Sequence, residues 1–338
     1  MQIFRQALML ASAAVVAGTT LAQQPLSGTL SNVRAVTKAA GERYERPRFS
    51  PDGKQIAYTQ LGFAGLYVMN SDGSRSRRLT DRLGAGVGYQ WSADGTRILT
   101  RSTRLVNNHP SGAPRVHSLE VISVADGRVE RIGDEQVEMR LPAWRYDAKG
   151  RASVTLGKGV IRPAKEIVLK DFVPATGKTR AKARSLSGSV STVGENYSVS
   201  FDTDNEHLWV IDADGNRTSI YDGYAFLPAL SPDGRRVAFC DEKSQVRVIN
   251  LDGSGLRTVG DGFSPAWAND SQLIVQRTTD DGHDYTSGDL YLLNLDGSAK
   301  ALTNSADRIE LDPAVSPDGK RIVFSDYKSG QIYTADIK

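Results

Sequence analysis

Two stretches concentrate the side chains that could do chemistry. RTTDDGHDYTSGD (277–289) carries Asp280, Asp281, His283, Asp284, Tyr285 and Asp289, the densest acidic run in the chain. Oxygen-rich loops of this kind can hold Ca2+, although the run lacks the alternating ligands of an EF-hand loop, D-x-[DN]-x-[DN]-G. STRLVNNHPSGAPRVHS (102–118) carries Arg104, His109, Arg115 and His117. Each stretch is a metal or substrate site, or else the solvated polar loop that such segments most often are. The expectation is no cofactor, with a divalent metal such as Ca2+ as the alternative.

Other chemical signatures are structural by their context. The four histidines, at 109, 117, 207 and 283, lack the spacing of a metal-binding helix or finger. No G-x-S-x-G elbow occurs. GAGVG (84–88) has no helix behind it to cradle a phosphate. Cys240, the single cysteine, sits in the apolar run RRVAFCDE and reads as a buried, inert thiol. GKTRAKARS (177–185) puts Lys178, Arg180, Lys182 and Arg184 on one face of a strand, as edge protection does. No catalytic residue is assigned.

The elements that must position these loops come from a repeat. RPRFSPDGKQIAY (46–58) returns as GYQWSADGTRIL at 88, LPAWRYDAKGRASV at 141, LPALSPDGRRVAF at 227, SPAWANDSQLIV at 264 and DPAVSPDGKRIVF at 312, with a degraded copy at 189. A second phrase follows each copy, as in LYVMNSDGSRSRRLT at 66 and LYLLNLDGSAKALT at 290. Pro presets φ at the second turn position, Ser and Asp bond nearby backbone, and Gly accepts positive φ. The flanking Val, Ile, Phe, Tyr and Trp are strand formers, so each pair of phrases predicts four antiparallel strands in about 40 residues, the period of a propeller blade.

Seven copies predict an all-β, seven-bladed β-propeller, with six blades as the alternative because the copy at 189 is weak. The last copy, IYTADIK, stops before a fourth strand. VRAVTKAAGERYERPRFSPDG (33–53) parallels AKALTNSADRIELDPAVSPDG (299–319), so Val33–Thr37 is expected to complete the last blade and close the ring. Large residues at Phe49, Trp91, Trp144, Leu230, Trp267 and Val315 beside small Ala143, Ala229, Ala266 and Ala314 predict interdigitating blades.

S-P-D-G followed by an apolar strand at 50–58, 231–239 and 316–324, and LYxxNxDGxxxxLT at 66–80 and 290–303, resemble the WD40-like propeller repeats of TolB, a periplasmic protein of the Tol–Pal envelope system. The resemblance covers about residues 33–338. TolB itself places an α/β domain before a six-bladed propeller, whereas seven copies are counted here. Seven-bladed pectin-fragment lyases resemble this architecture as well and use a histidine-rich metal site, for which no matching cluster is legible.

Residues 1–22, MQIFRQ followed by ALMLASAAVVAGTTLA with Thr20 and Ala22 before the cut, are expected to be a signal peptide, 23–32 a flexible linker and 33–338 one propeller domain. Removing Arg5 with the signal leaves 41 basic against 39 acidic residues, a net +2, which gives no general pull towards nucleic acid. No later stretch is apolar for long enough to span a bilayer. The sequence reads as a periplasmic, monomeric interaction scaffold with an envelope protein partner. The alternatives are a propeller lyase or hydrolase, or a glycan-binding protein, using Arg104, His109, Arg115, His117, Asp280, Asp281, His283, Asp284 and Tyr285.

Overall fold

The repeated turn phrase folds through one hydrogen-bond pattern in every sheet where it is written in full. The Ser50 hydroxyl donates to Asp52 Oδ1 at 2.6 Å, and the Gln55 N–H donates to Ser50 Oγ at 2.9 Å. Gly53, at φ 71°, closes the turn by donating to the Ser50 carbonyl at 2.8 Å. Ser92 with Asp94, Ser231 with Asp233, and Ser316 with Asp318 repeat the arrangement. The carboxylates are committed to holding backbone turns, which is why the phrase recurs around the molecule.

The computed structural model describes residues 25–38, 41–106, 114–137, 139, 141–146, 151–156, 159–161, 167–168, 190–194, 197–202, 207–212 and 216–338. The expected signal peptide, His109 and the basic run 177–185 lie outside them. No helix occurs among the described residues, and hence none long and apolar enough to cross a membrane.

Strand β1 (Leu30–Ala35) opens the described chain, and β2 (Tyr44–Phe49), β3 (Gln55–Gln60), β4 (Ala64–Asn70) and β5 (Arg77–Leu83) pair in sequence order. Next come β6 (Gln90–Trp91), β7 (Arg97–Leu105), β8 (Arg115–Ser123) and β9 (Val129–Gln136), joined to β5 through the single pair Leu83↔Thr103. β10 (Ala143–Tyr146), β11 (Ala152–Leu156) and β12 (Gly159–Ile161) form a three-stranded sheet. Four-stranded sheets follow: β13 (Val190–Gly194), β14 (Tyr197–Asp202), β15 (His207–Asp212) and β16 (Arg217–Asp222), then β17 (Phe226–Leu230), β18 (Arg236–Cys240), β19 (Gln245–Asn250) and β20 (Arg257–Asp261). The last two are β21 (Phe263–Asn269), β22 (Gln272–Asp280), β23 (Tyr285–Asn294) and β24 (Ala299–Ala301), and β25 (Glu310–Val315), β26 (Arg321–Asp326) and β27 (Ile332–Ile337), to which β1 adds in the order β1-β27-β26-β25.

Two local expectations shift. The degraded copy at 189 does form paired strands, β13 and β14. The strand after β11 begins at Gly159, and the phrase at 167 enters only through the bridge Arg151↔Val168. The segment expected as a linker is also engaged from residue 26 onward: Gly28 donates to the Lys338 carbonyl at 2.9 Å, and Leu30 already pairs with Ile337. The open edge of β27 supplies unpaired backbone groups, and the preceding chain satisfies them.

The hydrophobic core is divided among the gaps between successive sheets. One cluster joins Leu66 and Val68 to Trp91 and Ile98, another joins Val246 and Val248 to Trp267 and Leu273, and a third joins Ile56 and Tyr58 to Val323 and Ile332. Three of the first-strand tryptophans also donate across these gaps. Trp267 Nε1 reaches the Ala229 carbonyl at 2.9 Å, Trp144 Nε1 the Gln90 carbonyl at 3.3 Å, and Trp91 Nε1 the Arg48 carbonyl at 3.4 Å. The rings therefore serve both as packing and as pins between neighbouring inner strands. Cys240 is fully buried, and burial pushes its thiol up to about 12.

Candidate functional site

Up-and-down pairing puts the SPDG and NxDG turns at one end of the sheets and the hairpins between second and third strands at the other. β22 and β23 run for 9 and 10 residues, and β7 and β8 for 9 each. The corresponding strands of the other four-stranded sheets run for 5 to 7. Among the described residues, the acidic loop thus caps one of the two longest hairpins, and the strands that flank residues 106 and 114 form the other.

Around the β22–β23 tip the structure assembles a mixed aromatic and charged platform. Tyr285 packs edge-on against Tyr327, with ring centroids 5.4 Å apart, and Arg43 lies over the Tyr327 ring at 4.5 Å. The Tyr327 hydroxyl donates to Asp284 Oδ1 at 2.5 Å, tying the acidic loop to the neighbouring sheet. Tyr285 keeps 38% of its surface exposed. Burial, then the charges of Asp312 and Asp280, push its phenol above the ordinary value.

The platform continues through two strained residues. Arg46 and Asp312 hold φ of 52° and 54°, each just before a proline, where the first strand bulges out of register. Leu227 and Ser264 repeat this conformation at φ 50° and 52°. A non-glycine residue at positive φ costs free energy, so its recurrence marks an imposed bend. The bend lets the Arg46 N–H donate to Asp312 Oδ2 at 3.3 Å and sets the guanidinium over the Phe63 ring at 4.9 Å. Glu45 accepts from the N–H groups of Gly62 and Phe63 at 3.1 and 3.3 Å. Burial, reinforced by Asp312, still raises its carboxyl above the usual range.

Sequence reasoning missed Arg43, Glu45, Arg46, Asp312 and Tyr327. The signal for Arg46 and Asp312 was present: an x-Pro step two to three residues ahead of the large first-strand residues Phe49 and Val315. Proline cannot donate to a ladder, so inside a strand it marks an edge or a bulge.

Two carboxylates of the acidic loop turn back onto its own backbone. Asp281 Oδ1 accepts from the N–H groups of His283 and Asp284, both at 2.9 Å, and Asp280 Oδ1 from that of Gly282 at 3.0 Å. These bonds hold the Asp281 carboxyl below its ordinary value. Among the described residues, no three His, Cys, Asp or Glu side chains converge as a metal site would require.

The β7–β8 hairpin holds the other predicted residues. Arg104 pairs with Glu135 at 2.7 Å, and the pair is joined by Arg131 at 3.4 Å. His117 Nδ1 lies 3.0 Å from the Thr103 hydroxyl, and burial together with Arg101 and Arg115 lowers its pKa. Arg115 is exposed. Beneath them, fully buried Glu120 pairs with Arg82, and burial raises its carboxyl. His207 lies elsewhere, beside Asp222 and Ser219 on β15 and β16.

Antiparallel sheets that follow one another in sequence order, with hydrophobic clusters shared between neighbours, define a β-propeller. Among solved structures, the β-propeller domain of Myceliophteria thermophila Cps50 (Swd1) superimposes with a TM-score of 0.57 at 12% identity, over 92% of this chain and 99% of that one. That likeness carries the fold. In sequence, the chain is similar to TolB homologs: it is 30% identical over 121 residues to one of Chlorobium luteolum and 32% identical over 136 residues to one of Chlorobium chlorochromatii. These alignments cover 33% and 38% of this chain and 27% and 28% of the relatives, so the chain spans under a third of the length of the curated proteins it matches. No known family profile matches the chain.

Proposed function

We propose that the chain is a periplasmic, seven-bladed propeller that serves as a protein-interaction scaffold of the cell envelope. The seven-blade reading is supported by β1 completing the sheet of β27, and by the packing of β2 against β25 and β26. Periplasmic location is inferred from the signal-like 1–22 and from the TolB-type repeats. The observation that carries the interaction role is the hairpin-end platform of Tyr285, Tyr327, Arg43 and Arg46. Tyrosine and arginine on a rigid base are the residue types that anchor protein interfaces, because they bury large area at small entropic cost. This reading calls for no cofactor; one carboxylate oxygen of Asp280 and one of Asp281 already hold backbone N–H groups of their own loop.

The test is cross-linking capture from envelope extract with the tagged mature chain, repeated with Tyr285→Ala and Arg46→Ala. A partner bound through the platform loses about tenfold or more in capture with either variant, the effect expected of an interface anchor, and treatment with EDTA leaves capture unchanged. Capture of the same partner at full yield by both variants would remove the platform from the interaction. Saturable binding of a glycan at the platform with no protein captured would replace the scaffold reading by the glycan-binding one.

A further inference from the structure

One type of cleft recurs at the turn end of the propeller, and the chain itself fills one copy. On sheet β21–β24, the Leu26 N–H donates to Gln272 Oε1 at 2.6 Å, and Gln272 Nε2 donates back to the Leu26 carbonyl at 3.2 Å. Lys300 Nζ donates to the Ser27 carbonyl at 2.8 Å. Gly28 follows at φ 71°, so close that a Cβ there would lie 2.9 Å from Lys300 Cδ. The Leu26 side chain packs into the cluster of Leu292, Ile322 and Phe324. Three positions thus hold an extended peptide largely by its main chain: the start of the second strand (Gln272), the middle of the third (Leu292) and the facing residue of the fourth (Lys300).

Strand register identifies the same three positions on β17–β20. Arg236 faces Asn250 as Gln272 faces Asn294, and Val248 pairs with Arg257 as Leu292 pairs with Lys300. Here Arg236, Val248 and Arg257, with Arg235 and Asp233, line an open cleft of about 350 Å³. The cleft appears again where Arg321, Thr334 and Arg34 take the three positions.

The lining on β17–β20 has changed in one chemical direction. Gln272, which both donates and accepts, is replaced by Arg236, which only donates. Lys300 is replaced by Arg257, and Arg235 adds a third guanidinium, so three guanidinium groups stand against two carboxylates, Asp233 in the lining and Asp270 beside it. Arg236 is held in place by the Asp270 carbonyl at 2.6 Å, by Asp233 at 3.5 Å and by the Trp267 ring at 5.6 Å. Arg235 and Arg257 are exposed. Val248 in place of Leu292 leaves more room over the sheet.

We propose that this cleft is a second binding site, which takes an extended acidic segment of a partner protein, laid on β17–β20 as residues 26–28 lie on β21–β24. Its main-chain carbonyls meet Arg236 and Arg257, and its carboxylates meet Arg257 and Arg235. The site lies at the opposite end of the sheets from the hairpin platform, so either proposal can fail without the other.

The probes are two fluorescein-labelled peptides read by anisotropy: PLSGTLS, the sequence of residues 25–31, and its acidic counterpart PLEGELS. The acidic peptide is expected to bind saturably and more tightly than PLSGTLS. Its affinity should weaken about tenfold or more in Arg235→Glu/Arg257→Glu, a reversal of exposed charges at one interface, and should weaken as salt rises from about 0.05 to about 0.5 M. Lys300→Glu, in the filled cleft, should leave binding unchanged. Non-saturating binding, equal affinity for the Arg235→Glu/Arg257→Glu chain, or loss in Lys300→Glu instead would each overturn the assignment. Melting temperatures that match the parent establish that both variants remain folded.

Discussion

Trp267→Phe tests whether the tryptophans act as pins between sheets rather than as filler. The ring is 3% exposed, and its Nε1 donates at 2.9 Å to the carbonyl of Ala229, itself fully buried. Phenylalanine keeps the apolar contact and removes the donor. The carbonyl keeps its ladder partner opposite Ala238, so losing the indole bond costs about 0.5–1.5 kcal/mol, and the void left by the smaller ring adds about 1–2 kcal/mol. Trp91 provides the internal control: it is equally buried, but its bond to the Arg48 carbonyl is long, at 3.4 Å. Trp91→Phe should therefore cost about 1–2 kcal/mol, mostly from the void. At about 2 °C per kcal/mol for a large domain, differential scanning calorimetry should find a drop of about 3–7 °C for Trp267→Phe and about 2–4 °C for Trp91→Phe. Equal drops, or the larger one at Trp91, would refute the hydrogen-bond argument and leave only packing.

The remaining predictions concern buried and turn-holding groups. Cys240 should resist iodoacetamide in the folded protein at pH 8 and react once denaturant is added, because burial lifts its thiol to about 12; rapid labelling of the native chain would contradict the burial. Asp52→Ala should cost about 1 kcal/mol by freeing the Ser50 hydroxyl and the Lys54 N–H. Burial raises the Asp52 carboxyl, but those bonds outweigh it and hold it below its ordinary value. The stabilisation is therefore present at neutral pH and lost as pH falls through the depressed value, so the penalty measured in urea should shrink near pH 3. Glu120 has the opposite sign: its raised carboxyl stabilises the fold below the ordinary glutamate range and loses that contribution as pH rises through the raised value. The melting temperature of Glu120→Gln relative to the parent should accordingly climb from pH 4 to pH 8, and a flat difference would count against it.

Much of the fold was legible because its determinants are local. SPDG and NxDG dictate turns within four or five residues, and the flanking Val, Ile and Phe fix strands whose inward faces follow from a period of two. The fourth strand at the chain start could be read by matching 33–53 to 299–319, and the structure pairs β1 with β27. The anchoring of residue 26 was not legible, because Leu26 is held by Gln272, a partner 246 residues away that no local pattern announces.

The hairpin platform was half legible. Tyr285 and Asp284 stood out by composition, whereas Tyr327, Arg43 and Arg46 come from other sheets and carry no motif of their own. Arg104, a candidate ligand-binding residue by sequence, is paired to Glu135, a partner its own hairpin does not announce. The sequence by itself determined the repeat, the turn chemistry, the strand periodicity and which hairpins are long, since each depends on neighbours in the chain. Only the tertiary structure decided which side chains share a surface, which indole reaches which carbonyl, and which copy of the recurring cleft is already filled. Those depend on distances between segments far apart in sequence, and a repeat that writes every sheet alike cannot by itself distinguish one from another.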